Sequence, residues 1–328
     1  MEKPRKTELF QKSSIRYTIF IYFTVSALIM IVLIGAAVYG RLAGWVSDTL
    51  RKENQVVINQ INLSVDSYLR TIMRLSDSLY YGVIKNADYQ AEAEMVDSEM
   101  MLLYDNNKDF VSNIALLSRD GELLSAVPAA RLKTDLDVTE EKWFKDTLEH
   151  SENLHFSMPH VQYIFDSSGN QYRWVITLSR AVEVTKGTST SQGVLLIDMT
   201  YESLRYMLDN ISLGERGYLY LLGSDGGLIY HPKMQLIDAG LAEENLGTAR
   251  GYRDGDYQEV YRGEKRDIIV KTVGYTGWKI IGVIPEQGLS LDNLKVKLFM
   301  VFMAAFFLFL LAVINAYISA RKIGRASL

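Results

Sequence analysis

Cysteine is absent from the 328 residues, which excludes disulfides and any metal or nucleophile site built on a thiolate. Only four histidines occur, His150, His155, His160 and His231, and their five-residue steps match no helical metal pair, so no zinc site is expected. Gly-Lys-Ser/Thr phosphate loops, Gly-x-Ser-x-Gly elbows and His-Glu-x-x-His pairs are all missing. Nothing therefore announces catalysis, and no cofactor is expected.

Charge is missing from two stretches. Tyr17 to Tyr39 is a run of 23 uncharged residues, about 34 Å as a helix and long enough to cross a bilayer core. It exceeds the apolar core of a signal peptide, so an uncleaved span is expected. Leu298 to Ile318 is a second uncharged run of 21 residues. Lys3, Arg5, Lys6, Lys12 and Arg16 precede the first run, and Arg321, Lys322 and Arg325 follow the second. That bias predicts both termini in the cytoplasm and the intervening residues outside. The formal net charge of −4 hides basic ends around an acidic middle, and an acidic exterior argues against nucleic acid.

Proline and glycine are missing from Trp45 to Tyr81. Apolar or small residues recur there at Val46, Leu50, Val57, Ile61, Ser64, Tyr68, Ile72, Leu75 and Leu79, at nearly the 11-residue repeat of a long helix. One stripe on so long a helix predicts packing against the domain that it carries and against a second copy of itself. A further helix is expected at Tyr89 to Tyr104.

What is present is a repeat. Leu116 to Ser125 reads LLSRDGELLS, and Leu221 to Tyr230 reads LLGSDGGLIY, with Asp120 and Asp225 separated by 105 residues. Each Asp-Gly between apolar runs predicts a β-hairpin, at Ile114 to Ala126 and at Gly217 to Pro232. After the first hairpin come a short helix at Lys142-Trp143-Phe144 with Thr139 as N-cap, a Pro-containing segment at His155 to Tyr163, and strands at Tyr172 to Val182 and Gly193 to Met199 joined by a polar turn at Thr185 to Gln192. Thr200 is expected to cap a helix at Tyr201 to Leu208. After the second hairpin come a Gly-rich acidic part and strands at Gln258 to Arg262, Asp267 to Val273 and Trp278 to Pro285, then a helical lead at Glu286 to Lys297. Each module thus predicts a five-stranded antiparallel sheet with helices on one side, an α+β fold.

Two tandem modules on a long helix between two membrane spans resemble the double Cache, or PAS-like, sensor domain of bacterial receptors. The two Asp-Gly hairpins, Lys142-Trp143-Phe144, Gly193 to Met199, Gly217 to Pro232 and Gly277-Trp278-Lys279-Ile280 carry the resemblance, over about residues 40 to 295. It implies a cytoplasmic N-terminus at 1–16, a transmembrane helix at 17–39, a stalk and dimer helix at 40–106, a membrane-distal module at 107–212, a membrane-proximal module at 213–290, a second transmembrane helix at 298–318 and a HAMP-like linker start at 319–328. The expected protein is a two-pass, homodimeric receptor of the bacterial plasma membrane, in contact with lipid. It senses a small molecule outside the cell as the sensor part of a histidine kinase. The alternatives are a chemotaxis receptor or a cyclic-dinucleotide enzyme with the same sensor, and, remotely, a membrane-anchored hydrolase.

The resemblance also implies a ligand site in the distal module. In the family's amino-acid-binding branch an Arg two residues before the Trp grips a carboxylate, and a late Asp holds the amine. Trp143 and Asp198 match, but Glu141 stands at the Arg position, and His160 and Gln162 stand where Tyr and Asp are usual. Carboxylate recognition needs a cation or aligned donors, and Glu141 would repel it, so a polar neutral or cationic ligand is expected over an α-amino acid. The expected pocket is Trp143, Phe144, His160, Gln162, Tyr163, Trp174 and Asp198. Asp198 is the sharpest of these, because it interrupts the apolar run Val194-Leu195-Leu196-Ile197, and a buried carboxylate without partners is costly.

Overall fold

Helix α1 runs Ile15–Asp77 in the computed structural model of the chain, through three glycines and then the stretch from Trp45 that lacks proline and glycine. The structure describes residues 15–166, 173–214 and 216–285, together with 299, 301–303, 305–307, 309–311, 313 and 314. Two units divide the chain, Met1–Glu53 with Leu289–Leu328, and Asn54–Gly288. In the first unit the described residues are helical. Among the described residues no helix is long and apolar enough to cross a membrane, so the two expected spans rest on the sequence. The expected helical lead at 286–297 lies outside the described residues.

In the second unit α1 buries one stripe, including Ile58, Ile61, Val65, Tyr68, Ile72 and Leu75, which Leu79 extends into the next turn. The helix gives way to a π-helical turn at Ser78–Ile84 rather than continuing as α-helix to Tyr81. Arg180 lies against this turn, with Nη1 bonded to Asp77 Oδ1 at 2.6 Å and its guanidinium 4.8 Å from the Tyr80 ring centroid. Helix α2 follows at Tyr89–Asp105, capped by the Asp88 carboxylate, which accepts from the Gln90 N–H.

The distal module contains β1 (Val111–Ser118), β2 (Leu123–Val127), α3 (Lys142–Glu149), β3 (His155–Phe156), β4 (His160–Val161), β5 (Trp174–Lys186), β6 (Ser189–Thr200) and α4 (Tyr201–Asp209). Its antiparallel sheet has the order β2-β1-β6-β5-β3, with β4 also paired to β5. The sheet has six strands rather than five because the 155–161 segment touches β5 twice, on either side of Pro159, which has no N–H to donate to the ladder. The polar stretch at Thr185 to Gln192 is mostly strand: β5 and β6 stay paired out to Lys186 and Ser189. Its β-branched threonines suit the ladder and confine the turn to two residues. Asp137, not Thr139, caps the turn before α3, accepting from the Thr139 N–H and hydroxyl. Thr200 sits at the start of α4 without a capping bond from its side chain.

The proximal module contains β7 (Tyr218–Leu222), β8 (Leu228–Tyr230), α5 (Met234–Asp238), α6 (Leu246–Ala249), β9 (Gly255–Tyr261), β10 (Glu264–Thr272) and β11 (Lys279–Pro285). Five antiparallel strands take the order β8-β7-β11-β10-β9. The repeat is structural. Leu116 faces Ser125 and Leu117 faces Leu123 across a bulge, while Leu221 faces Tyr230 and Leu222 faces Leu228 across the same bulge. Gly121 and Gly226 both hold φ of +80°, a left-handed conformation that glycine adopts at little cost.

Both sheets meet α1. Tyr68 donates to the Thr200 carbonyl of the distal module, and Asn62 donates to the Thr272 carbonyl of the proximal one. At Gly282 on β11 a Cβ would stand 2.8 Å from Ile58 Cδ1, so the helix approaches the strand as closely as glycine permits.

Candidate functional site

Opposite residues of an antiparallel pair point to one side of the sheet. Asn113 on β1 faces Asp198 on β6, and Asp198 faces Thr177 on β5. A polar row therefore crosses the centre of the distal sheet, flanked on the same face by Ala115 and Leu196. Asp198 is 1% exposed. Its Oδ1 accepts from the Thr177 hydroxyl at 2.5 Å. Oδ2 has no hydrogen-bond partner among the described residues, and neither do the amide nitrogens of Asn113 and Gln162. Burial pushes the Asp198 carboxyl above the ordinary carboxylate range. The Thr177 hydroxyl, the charge of His160 and the amides of Asn113 and Gln162 pull the other way. Those amides lie near enough to favour the charged form, but neither nitrogen is placed to make a hydrogen bond with it.

The 155–163 segment covers this row. Nδ1 of His160 lies 3.0 Å from the Met158 carbonyl, an acceptor only, so Nδ1 is the donor in this contact. Nε2 is thereby turned toward Thr177 Oγ1 at 3.5 Å. Ser157 Oγ accepts from the Thr177 N–H at 2.8 Å and fastens the segment to β5. The Tyr163 ring stands edge-on to His160, with centroids 5.7 Å apart. Its hydroxyl donates to Glu141 Oε2 at 2.8 Å and accepts from the Trp143 indole at 3.2 Å. Burial, reinforced by the hydrogen bond to Glu141, pushes the Tyr163 hydroxyl up to about 12.

Five of the expected residues, Trp143, His160, Gln162, Tyr163 and Asp198, are thus drawn around one polar row. Two are not. Phe144 is 2% exposed and packs on Leu117 and Val194 as core. Trp174 precedes Thr177 by three positions, so strand alternation turns it to the opposite face. It lies against Tyr201 at 6.3 Å and lines a separate groove of about 420 Å³ with Pro159, Tyr230 and Pro232. Arg180, three positions after Thr177, also points to the opposite face, where it is paired with Asp77. Asn113 and Thr177 were not anticipated. Asn113 carried a signal, because it interrupts the apolar β1 run as Asp198 interrupts β6. Chemically the site offers a buried carboxylate, two amide nitrogens without partners among the described residues and an aromatic wall, backed by a second carboxylate at Glu141.

The Cache domain family model matches residues 42–291. The methyl-accepting chemotaxis protein TlpA of Bacillus subtilis (strain 168) is 25% identical over 241 residues, covering 71% of this chain and 32% of that protein. The chain therefore spans about a third of the length of this curated relative. Among solved structures, the ligand-binding domain of the Campylobacter jejuni chemoreceptor Tlp3 in complex with 4-methylisoleucine aligns with a TM-score of 0.57 at 16% identity, over 74% of this chain and 93% of that one. The ligand-binding domain of the Pseudomonas aeruginosa PAO1 amino acid chemoreceptor PctC in complex with GABA aligns with a TM-score of 0.53 at 18% identity, over 72% and 99%. At these identities the likeness establishes the fold.

Proposed function

The chain belongs to the Cache domain family through residues 42–291, and from that premise we propose that it is the extracytoplasmic sensing part of a chemotaxis receptor. The similarity to TlpA supports a chemotaxis receptor over the histidine kinase expected from the sequence. In this reading the uncharged runs at 17–39 and 298–318 anchor the chain in the bacterial plasma membrane, with both termini cytoplasmic. The stalk helix pairs in a homodimer, where its exposed Val56 and Leu63 are available.

The distal module takes a small molecule that carries an ammonium group. One observation carries this: Asp198 is buried with an oxygen that lacks a described partner, beside two amide nitrogens in the same condition. A buried polar group in that state is costly: a ligand ammonium satisfies the Asp198 oxygen, while the two amide nitrogens, being donors, call for an acceptor on the same ligand. Glu141 adds negative charge where a ligand carboxylate would need a cation, which favours amines over α-amino acids. The Tlp3 and PctC structures contain 4-methylisoleucine and GABA, so amino acids belong in the test. Titration calorimetry on the full chain in detergent, with putrescine, GABA, asparagine and glucose as probes, decides the matter. Putrescine should bind, and Asp198→Ala should weaken it roughly tenfold or more, as expected for a charged hydrogen bond. Affinity for every probe unchanged by Asp198→Ala would overturn the assignment.

A further inference from the structure

Because Asp198 is 1% exposed, a ligand reaches it only by displacing the segment that covers it. That segment has a second set of contacts, on the other module. Leu154 donates its backbone N–H to the Tyr275 hydroxyl at 3.0 Å. Phe156 stands edge-on to Trp278, with ring centroids 6.0 Å apart, and Trp278 itself is buried. Met158 lies over the second Asp-Gly hairpin. A Cβ on Gly223 would come within 3.1 Å of its sulfur, and a Cβ on Gly227 within 2.8 Å of its methyl. The glycines of this hairpin therefore form a seat for Met158 as well as a turn.

Site contacts and module contacts interleave along one short strap. Leu154, Phe156 and Met158 hold the proximal module, whereas Ser157, His160 and Gln162 face the polar row. His160 is tied directly to the Met158 carbonyl, so the two sets cannot move independently near Pro159. We propose that residues 154–162 are the coupling element between the modules, with Met158 in the Gly223–Gly227 seat as its key contact. Displacement of His160 and Gln162 at the distal site is thereby read out at the proximal hairpin. This rests on the ligand-site reading for what moves the strap, but not for the coupling itself.

The test needs no ligand. Amide hydrogen exchange is measured on the full chain for peptides that cover 157–162 and 218–230, with Asp198→Ala as the site perturbation. Asp198→Ala should change exchange in both peptides by about fivefold or more, the lower end of typical coupling between sites. Adding Met158→Ala should erase the response at 218–230 while leaving that at 157–162. Gly227→Ala, which crowds the Met158 methyl, should in turn alter exchange at 157–162, and Met158→Ala should cancel that effect. A hairpin indifferent to Asp198→Ala, or one that responds equally with Met158 truncated, overturns the proposal. A chain that binds none of the amine and amino-acid probes yet shows the Met158-dependent response loses its ligand assignment and keeps the coupling element. Binding at Asp198 with a response that survives Met158→Ala does the reverse.

Discussion

Replacing Arg266 by methionine should be the most damaging single change in the proximal module. Arg266 on β10 is 6% exposed. Its guanidinium bonds Glu244 Oε1 at 2.9 Å and Glu259 Oε1 through two nitrogens, and reaches the Tyr218 hydroxyl at 3.2 Å. Tyr218 in turn donates to Glu244, while Tyr252 and the Asn245 amide donate to Glu259. Burial alone would raise the Glu244 carboxyl, but hydrogen bonds from Tyr218 and the Asn245 N–H, with His231 Nε2 3.5 Å away and the charge of Arg266, hold it down at about 2 against an ordinary 4.5. That depression corresponds to roughly 3 kcal/mol of stability. It is present above the unfolded-state value near 4.5 and is lost as pH falls through about 2. Arg266→Met leaves two buried carboxylates without their cation, at a cost of about 3–5 kcal/mol. Amide exchange in β10 and β11 should accelerate roughly a hundredfold or more. Glu244→Gln should cost less and flatten the acid limb of unfolding. Arg266→Met with Glu244→Gln should cost less than Arg266→Met alone, because it relieves one stranded charge. Acceleration under tenfold in Arg266→Met would refute the view that this cluster depends on its cation.

The Asp198 carboxyl lies above its ordinary range, so the sign is opposite to that of Glu244. Its destabilising effect is absent at low pH and grows as pH rises from the ordinary carboxylate range through the raised value. Asp198→Asn should therefore melt higher than the parent at neutral pH and match it in acid, as read by calorimetric melting across pH. Arg180→Met removes the bond to Asp77 and the stacking on Tyr80 and Tyr81. It should cost about 1–2 kcal/mol and speed amide exchange at Ser78–Ile84, where the π-helical turn loses its clamp.

The hairpins, the order of modules and the Asp198 position were legible because each rests on a local rule: Asp-Gly turns, an internal echo, and a charge inside an apolar run. The assignments that moved depended on facts outside their own segment. Trp174 and Thr177 lie three residues apart and so face opposite sides of the strand, but only the register shows that Thr177 is the one opposite Asp198. Phe144 and Trp143 are adjacent and both pack on the Leu117 and Val194 core, but only Trp143 also reaches the Tyr163 hydroxyl. The π-helical turn has no signature in its own residues, since Arg180, which clamps it, lies about a hundred residues away. Met158 is equally silent: its role depends on glycines that the sequence presents only as a turn.

The repeat also explains why the two modules differ in task. Asn113 and Tyr218 are separated by the same 105 residues as Asp120 and Asp225, and they occupy matching positions on β1 and β7. Across the distal sheet the row from Asn113 runs through Asp198 to Thr177. Across the proximal sheet the row from Tyr218 runs through Val283 to Ile268. Polar groups at the centre of one sheet are thus apolar in the other, where Val283 and Ile268 join Tyr220 and Ile281 in a sealed core. The charges that the proximal module does bury, Arg266 with Glu244 and Glu259, have their strongest partners within the module. Asp198 has an oxygen without one among the described residues. A module whose buried charges are matched internally gains little from a ligand and is suited to respond as a packed body. A module that leaves a buried anion short of partners is stabilised by whatever cation enters. The same fold, repeated, therefore yields one half that a ligand can stabilise and one half that can register the change.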